Sequence, residues 1–147
     1  MHRRSFLALL PAATLAGPSW AAATEKLIVY KSPSCGCCTG WVTAMTSAGF
    51  SAEIISRDDI SPVWRERGVA DDFASCHAAE IGGYIVIGHI PPADVRRLLA
   101  ERPNAIGLSV PGMPMGSPGM ERPDGRREPF GTLLLLEGGR TQVFAQH

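Results

Sequence analysis

Residues 26–49, KLIVYKSPSCGCCTGWVTAMTSAG, join a strand pattern to a helix pattern through a cysteine-rich turn. Lys26 to Tyr30 is a β-branched and aromatic run that ends before Ser32-Pro33, which predicts a buried strand. Cys37 to Ala48 carries apolar residues at core spacing and stops at Gly49, which predicts a helix. These apolar residues are Trp41, Val42 and Met45. The cysteines therefore lie where a strand is followed by the amino terminus of a helix.

The elements that follow this stretch define the rest of the core. The sequence predicts strands at Ala52–Ser56, Cys76–Ile81 and Tyr84–Ile90, and helices at Ser61–Arg67 and Pro92–Arg102. Gly82-Gly83 between the last two strands favours a tight hairpin, so we expect these strands to pair antiparallel. The resulting β-α-β-α-β-β-α order is typical of a thioredoxin-like domain, and an α/β fold of this kind is our prediction.

Two further segments complete the chain. Pro103 to Pro129 is rich in proline, glycine and methionine and shows no apolar period, so we predict a long added loop. Gly131 to Glu137 and Arg140 to Ala145 flank Gly138-Gly139, and this pattern predicts a carboxy-terminal hairpin. His147 ends the sequence, and we expect it to be mobile.

Composition and charge limit the classes of function. The chain has 147 residues, 45% of them apolar, with 14 Lys and Arg against 14 Asp and Glu. This length suits one modest domain, and a net charge of zero without a long basic run argues against nucleic-acid binding. The apolar run from Leu133 to Leu136 is far too short to cross a bilayer, so we predict no membrane span in the mature chain.

The amino terminus has the three-part pattern of an export signal. Met1 to Ala23 contains Arg3-Arg4, an apolar stretch and small residues at its end, which predicts cleavage after Ala23 and a mature domain of residues 24–147. The paired arginines resemble a twin-arginine signal, although His2 stands where serine or threonine is usual. An uncleaved amino-terminal anchor is the alternative. We expect a periplasmic protein.

All four cysteines fall in the predicted mature chain, three of them in the turn. Free backbone N–H groups and the helix dipole favour thiolate over thiol at this position. Cys35 and Cys38 have the C-x-x-C spacing of a dithiol oxidoreductase. Cys37 is a surplus sulfur that would compete in disulfide exchange, so the turn is unusual for an ordinary redox pair.

The fourth cysteine, Cys76, is brought to the other three by the predicted topology. The third strand runs antiparallel to the first, so its start lies where the first strand ends. Thioredoxin-like oxidoreductases have a proline facing the dithiol here, but this sequence has Ala74-Ser75-Cys76-His77. Four soft sulfurs at one electropositive helix end suit Cu(I), zinc or an iron–sulfur centre, and a pair of disulfides is the alternative.

Methionines and histidines supply weaker candidate ligands. Met113 and Met115 lie in a loop without the apolar neighbours that a core requires. Thioethers favour Cu(I), so these two residues indicate copper. The alternative is that they pack flexibly against the sheet. His89 ends the fourth predicted strand at the cysteine edge, where it is either a ligand, a group that supports a ligand, or a solvated cap. Strand alternation would turn His77 to the face opposite Cys76.

Four blocks of sequence occur in order along the predicted mature chain. They are Lys31–Cys38 (KSPSCGCC), Ser75–His77 (SCH), Gly88–Pro91 (GHIP) and Val110–Met120 (VPGMPMGSPGM). Together these blocks resemble the CopG-like copper-resistance proteins, which have long been classified as a domain family of unknown function. The resemblance implies an exported protein with a thioredoxin-like fold, an association with copper-resistance gene clusters, and copper held through clustered cysteines.

Three functional hypotheses follow. In the first, a periplasmic protein holds one or several Cu(I) ions on Cys35, Cys37, Cys38 and Cys76, meets other periplasmic copper-handling proteins, and contributes to copper resistance. In the second, an enzyme uses Cys35 to attack and Cys38 to resolve in thiol–disulfide exchange. In the third, bound copper cycles between Cu(I) and Cu(II). The surplus Cys37 and the missing proline favour metal binding.

Overall fold

The computed structural model describes residues 25–147, which form one seven-stranded sheet with three α-helices. The strands are β1 (Lys26–Lys31), β2 (Ser51–Ser56), β3 (His77–Ile81), β4 (Tyr84–Ile87), β5 (Gly107–Ser109), β6 (Gly131–Leu135) and β7 (Thr141–Gln146). The helices are α1 (Gly36–Ser47), α2 (Pro62–Arg65) and α3 (Pro92–Glu101). None of these three helices is long and apolar enough to cross a bilayer. The predicted export signal, residues 1–23, lies outside the described residues.

The sheet order β2-β1-β3-β4-β5-β6-β7 confirms the predicted α/β class. β1 and β2 run parallel, whereas β3 runs antiparallel to both β1 and β4. Strands β1 to β4 therefore have the order and directions that the predicted β-α-β-α-β-β-α core requires. The register pairs Lys31, the last residue of β1, with His77, the first residue of β3. The start of β3 thus lies beside the end of β1, as expected.

Strand β5 corrects the prediction that residues 103–129 form only a loop. It pairs parallel with β4 and antiparallel with β6, so the carboxy-terminal hairpin of β6 and β7 extends the same sheet. The sequence pattern conceals this strand because it is only three residues long and begins with glycine. Gly107 is required at that position, since a Cβ atom there would lie 1.7 Å from the carbonyl oxygen of Ile85.

Two strand boundaries near the cysteines differ from the predicted ones. β3 begins at His77 rather than at Cys76. β4 ends at Ile87 rather than three residues later, because Gly88 turns the chain with a φ of 82°. Cys76 and His89 therefore lie in loops at the strand ends, where side-chain direction is set by the turn and not by strand alternation.

The last residue of the sequence is held in place, which corrects the expectation that His147 is mobile. Its backbone N–H donates to the carbonyl oxygen of Phe130 at 2.9 Å, which extends the pairing of β6 with β7. Its Nε2 lies 2.9 Å from Oδ2 of Asp94, a buried carboxylate that also accepts from the Thr132 hydroxyl at 2.6 Å. These contacts join β7 to α3.

Apolar side chains pack on both faces of the sheet. Val86 of β4 belongs to a cluster with Trp41 of α1, whereas the adjacent Ile85 belongs to a second cluster with Trp64 of α2. Adjacent residues of a strand point to opposite faces, so α1 and α2 cover different sides. Trp41 is fully buried, and its indole N–H donates to the carbonyl oxygen of Ile90 at 2.9 Å. This contact anchors the middle of α1 to the segment between β4 and α3.

We expect Gly107→Ala to lower the free energy of unfolding by about 3 kcal/mol, because the added methyl group must displace the backbone of β4. Urea denaturation followed by tryptophan fluorescence measures this change. Gly36→Ala is the control, since a Cβ there would meet no heavy atom within 4 Å and should alter stability by less than about 0.5 kcal/mol. Equal stability of the two variants would contradict the pairing of β5 with β4.

Candidate metal and redox site

The turn between β1 and α1 places the Cys35 sulfur at the amino terminus of α1. Cys35 caps α1 with extended backbone angles, and the N–H of Cys38 donates to Cys35 Sγ at 3.3 Å. The turn is closed by the Ser32 carbonyl oxygen, which accepts from the Cys35 N–H at 3.2 Å and from the buried Lys31 ammonium at 2.9 Å. Free N–H groups and the helix dipole therefore surround this sulfur with positive potential.

All four cysteine sulfurs lie within 4.8 Å of one another. A disulfide bond joins Cys35 to Cys38, and Cys37 and Cys76 are free thiols. Cys37 Sγ lies between the other sulfurs, at 3.4 Å from Cys35 Sγ and 3.7 Å from Cys76 Sγ. The structure thus brings together the four cysteines that the predicted topology places at one sheet edge.

The surroundings of the partly buried Cys76 thiol lower its acidity. Burial raises the pKa of the Cys76 thiol to about 12, and the neighbouring Cys37 sulfur adds to the shift. His89 Nε2 lies 3.1 Å and His77 Nδ1 lies 3.4 Å from Cys76 Sγ. Cys76 is therefore protonated at neutral pH when Cys35 and Cys38 are bonded, and a metal ion must displace this proton to bind the sulfur.

His89 lies at the cysteine edge, as expected, and its tautomer follows from its second contact. His89 Nδ1 donates to the carbonyl oxygen of Pro118 at 2.8 Å, which leaves the Nε2 lone pair directed at Cys76. Burial lowers the pKa of His89, so the ring is neutral near pH 7. In this state Nε2 accepts the Cys76 S–H, and it is also a competent ligand for a soft metal.

His77 contacts the cluster too, which corrects the prediction that it faces away from Cys76. Its ring is fully buried, 4.5 Å from the Trp41 ring and 4.9 Å from the His89 ring between centroids. Burial, followed by the nearby His89, lowers the pKa of His77 to about 3, so this ring stays neutral. Its Nε2 has no hydrogen-bond partner among residues 25–147. To predict this contact from the sequence, the first residue of β3 would have to be known exactly.

The methionine-rich loop, residues 110–120, returns to the first turns of α1. Gly40 and Gly119 allow the two backbones to touch, since a Cβ on Gly40 would lie 3.0 Å from Gly119 Cα. The Ser75 hydroxyl donates to the carbonyl oxygen of Gly112 at 2.5 Å, which ties the loop to the segment before β3. The loop is thereby held against both elements that carry the cysteines.

This loop brings Met113 to the cysteines, whereas Met115 is engaged elsewhere. Met113 Sδ lies 3.9 Å from Cys37 Sγ, and the residue is 51% exposed. Met115 is paired with Glu128 instead: its N–H donates to Glu128 Oε1 at 2.8 Å, and its carbonyl oxygen accepts from the Glu128 N–H at 3.0 Å. The two methionines, which the sequence treats alike, are therefore placed in different surroundings.

An α/β sheet with four sulfurs at a helix amino terminus defines a thiol-rich protein whose donor set suits a soft metal. The chain is 36% identical to a solved structure described as "Copper resistance protein copG- Form 2", with a TM-score of 0.78 over 84% of this chain and 98% of that chain. For "Copper resistance protein copG- Form 1" the identity is 37% and the TM-score 0.77, over 83% of this chain and 96% of that chain. The chain therefore belongs to the CopG-like copper-resistance protein family.

Two further comparisons define the extent of this relationship. A family model described as "Protein of unknown function, DUF411" matches residues 73–120, which include Cys76, His89 and Met113. No protein with a curated description matches the chain. The family and the cysteine cluster together support a role connected with copper.

We expect Cys76 in the disulfide form to react with iodoacetamide far more slowly than an ordinary thiol. With a pKa of about 12, only about one Cys76 thiol in 10,000 is ionised at pH 8. The rate of labelling should rise about tenfold per pH unit from pH 8 to pH 11, since the thiolate is the nucleophile. Mass spectrometry of the peptide that contains Cys76 measures it, and labelling in urea supplies the unperturbed rate. A plateau below pH 10 would contradict the burial of this thiol.

Proposed function

We propose that this protein binds copper as Cu(I) in the periplasm, on Cys35, Cys37, Cys38 and Cys76, and thereby contributes to copper resistance. The observation that carries this proposal is the convergence of four sulfurs within 4.8 Å at the amino terminus of α1. Thiolates are soft donors, and a site made of them selects soft or borderline ions over the harder metals.

The surroundings of the sulfurs favour copper among the soft metals. Met113 adds an exposed thioether 3.9 Å from Cys37 Sγ, and thioethers are ligands for Cu(I). His89 adds a neutral imidazole nitrogen 3.1 Å from Cys76 Sγ. The solved structures that the chain resembles are both described as copper resistance proteins.

Charge favours a cluster of several ions over a single ion. Four thiolates around one Cu(I) would leave three net negative charges in a site that is partly removed from water, and such a concentration of like charge is unfavourable. Additional Cu(I) ions that bridge the sulfurs reduce this charge. The amino terminus of α1 stabilises the negative charge that remains.

The full set of four thiolates requires that the Cys35–Cys38 bond be reduced. Reduction adds two electrons and two protons and gives two thiols, and an external dithiol that supplies the electrons leaves as its own disulfide. Copper loading is therefore coupled to the redox state of the chain. Cycling of bound copper between Cu(I) and Cu(II) is a further use of the same ligands.

A thiol–disulfide oxidoreductase is the second candidate function, and the Cys35–Cys38 disulfide at the helix end favours it. In this mechanism the Cys35 thiolate attacks a substrate disulfide and forms a mixed disulfide, with release of one substrate thiolate. Cys38 then attacks Cys35 Sγ and releases the second. Cys37 Sγ, 3.4 Å from Cys35 Sγ, is close enough to compete with Cys38, which makes this pair a less selective resolving system.

The proposal also includes export of the chain to the periplasm. Residues 1–23 act as a signal that is removed after Ala23, and residues 24–147 act as the mature copper-binding domain. In the periplasm the exposed Met113 is the ligand that other copper-handling proteins would meet first, because the remaining donors of the cluster are more deeply placed.

We expect Cys76→Ser to bind fewer Cu(I) ions per chain than the reduced wild-type protein, or to bind them at least about tenfold more weakly, because one thiolate is lost. Anaerobic titration against a chromogenic Cu(I) chelator measures both quantities. The same variant should keep most of its insulin-reducing activity, since that chemistry uses Cys35 and Cys38.

Cys35→Ser is the matched variant, and it should impair both copper binding and disulfide exchange. Thermal unfolding of both variants and the wild type, all as reduced apoproteins, checks that neither substitution disturbs the fold, since serine is close to cysteine in size. If Cys76→Ser binds the same number of Cu(I) ions with unchanged affinity, Cys76 is not a ligand and the oxidoreductase becomes the better proposal.

A further inference from the structure

The disulfide form of the protein keeps an organised group of sulfurs. The bonded sulfurs of Cys35 and Cys38 have lost the charge that makes a thiolate a strong metal ligand. The two remaining thiols, Cys37 and Cys76, lie 3.7 Å apart between Sγ atoms. Met113 Sδ lies 3.9 Å from Cys37 Sγ, on the exposed side of the group. Three sulfurs thus remain together when the other two are bonded to each other.

We propose that the disulfide form binds one Cu(I) ion between Cys37, Cys76 and Met113, at a site distinct in composition from the four-cysteine cluster. This inference rests on the proposed function, since it assumes that the protein handles Cu(I). The oxidised chain then has a capacity of one ion, and the reduced chain a larger capacity.

The sulfur spacing supports three-coordinate binding. With a metal–sulfur bond of about 2.3 Å, as in zinc thiolates, three sulfurs around one ion at 120° are separated by about 4.0 Å. The separations of 3.7 Å and 3.9 Å from Cys37 Sγ to the other two sulfurs match this value within a few tenths of an ångström. Two of the three sulfur–sulfur separations that such a site needs are therefore already present, both of them from Cys37 Sγ.

The same geometry leaves His89 outside this site. An imidazole nitrogen and a sulfur that share one three-coordinate ion lie about 3.7 Å apart, for bonds of about 2.0 and 2.3 Å. His89 Nε2 is only 3.1 Å from Cys76 Sγ, which is a hydrogen-bonding distance for sulfur. In the metal-free form His89 therefore accepts the Cys76 S–H and orients this sulfur. In the copper-bound form the thioether of Met113 supplies the third ligand.

The charge of the ligand set also suits a single monovalent ion. Two thiolates and one neutral thioether around Cu(I) leave one net negative charge, which the amino terminus of α1 stabilises. Zinc prefers four ligands, which is one more than this group supplies. We therefore expect the disulfide form to select Cu(I) over zinc.

The test uses protein purified without reductant, in which a thiol count of two per chain and peptide mapping establish the Cys35–Cys38 bond. Anaerobic titration with Cu(I) against a chromogenic chelator should show one ion per chain, and the fully reduced protein should bind more. Cys37→Ser in the disulfide form should lose this binding. A thiol count after the titration shows whether Cys37 and Cys76 remain unoxidised.

Met113→Leu and Met115→Leu are a matched pair for the third ligand. Both replacements nearly conserve volume and apolarity, so both should preserve stability. Met113→Leu should weaken Cu(I) binding to the disulfide form by at least about tenfold, and Met115→Leu should leave it unchanged. Equal affinities of the two variants would remove Met113 from the site.

The outcomes separate this inference from the proposed function. If the disulfide form binds no Cu(I) while the reduced form binds several ions, the smaller site does not exist and the four-cysteine proposal stands. If neither form binds Cu(I), both proposals fail.

Discussion

The antiparallel pairing of β1 with β3 is the constraint on which the whole site depends. Its register sets Lys31 opposite His77, so the turn that follows β1 meets the residue that precedes β3 at one edge of the sheet. A shift of one residue would move Cys76 along the sheet by about 3.3 Å and reverse the faces to which the β3 side chains point. That displacement is nearly as large as the 3.7 Å between Cys37 Sγ and Cys76 Sγ, so the cluster would come apart. Backbone hydrogen bonds in a buried sheet thus hold together sulfurs that lie far apart in sequence.

Much of this arrangement follows from short-range sequence patterns. The apolar run at residues 26–30, the glycine pair at residues 82–83 and the proline-led helices each have a local physical cause, and together they define the first four strands and their directions. Once these directions are set, the meeting of Cys76 with the turn cysteines needs no further information. For the same reason the position of His89 at the cysteine edge was predictable, although its contact with Pro118 was not.

The features that escaped prediction depend on contacts between distant segments. β5 is a strand because β4 and β6 lie on either side of it, and a three-residue segment that begins with Gly107 has low strand propensity. His77 reaches Cys76 because β3 starts one residue later than expected, and element boundaries are the least certain part of a sequence pattern. The different surroundings of Met113 and Met115 are decided by where the loop backbone touches α1, which no local pattern encodes.

The close contact between Gly40 and Gly119 would affect the rate of metal binding as well as the structure of the loop. Because the loop backbone is seated on α1, the Met113 thioether stays beside Cys37 without the entropy cost of ordering a free loop at each encounter. The Met113 thioether is thus present at high effective concentration beside the Cys37 sulfur. Under the proposed function, an ion held by one of these sulfurs would reach the other by an intramolecular step. Under the proposed function, closing of the loop would therefore not limit the exchange of a metal ion at this edge.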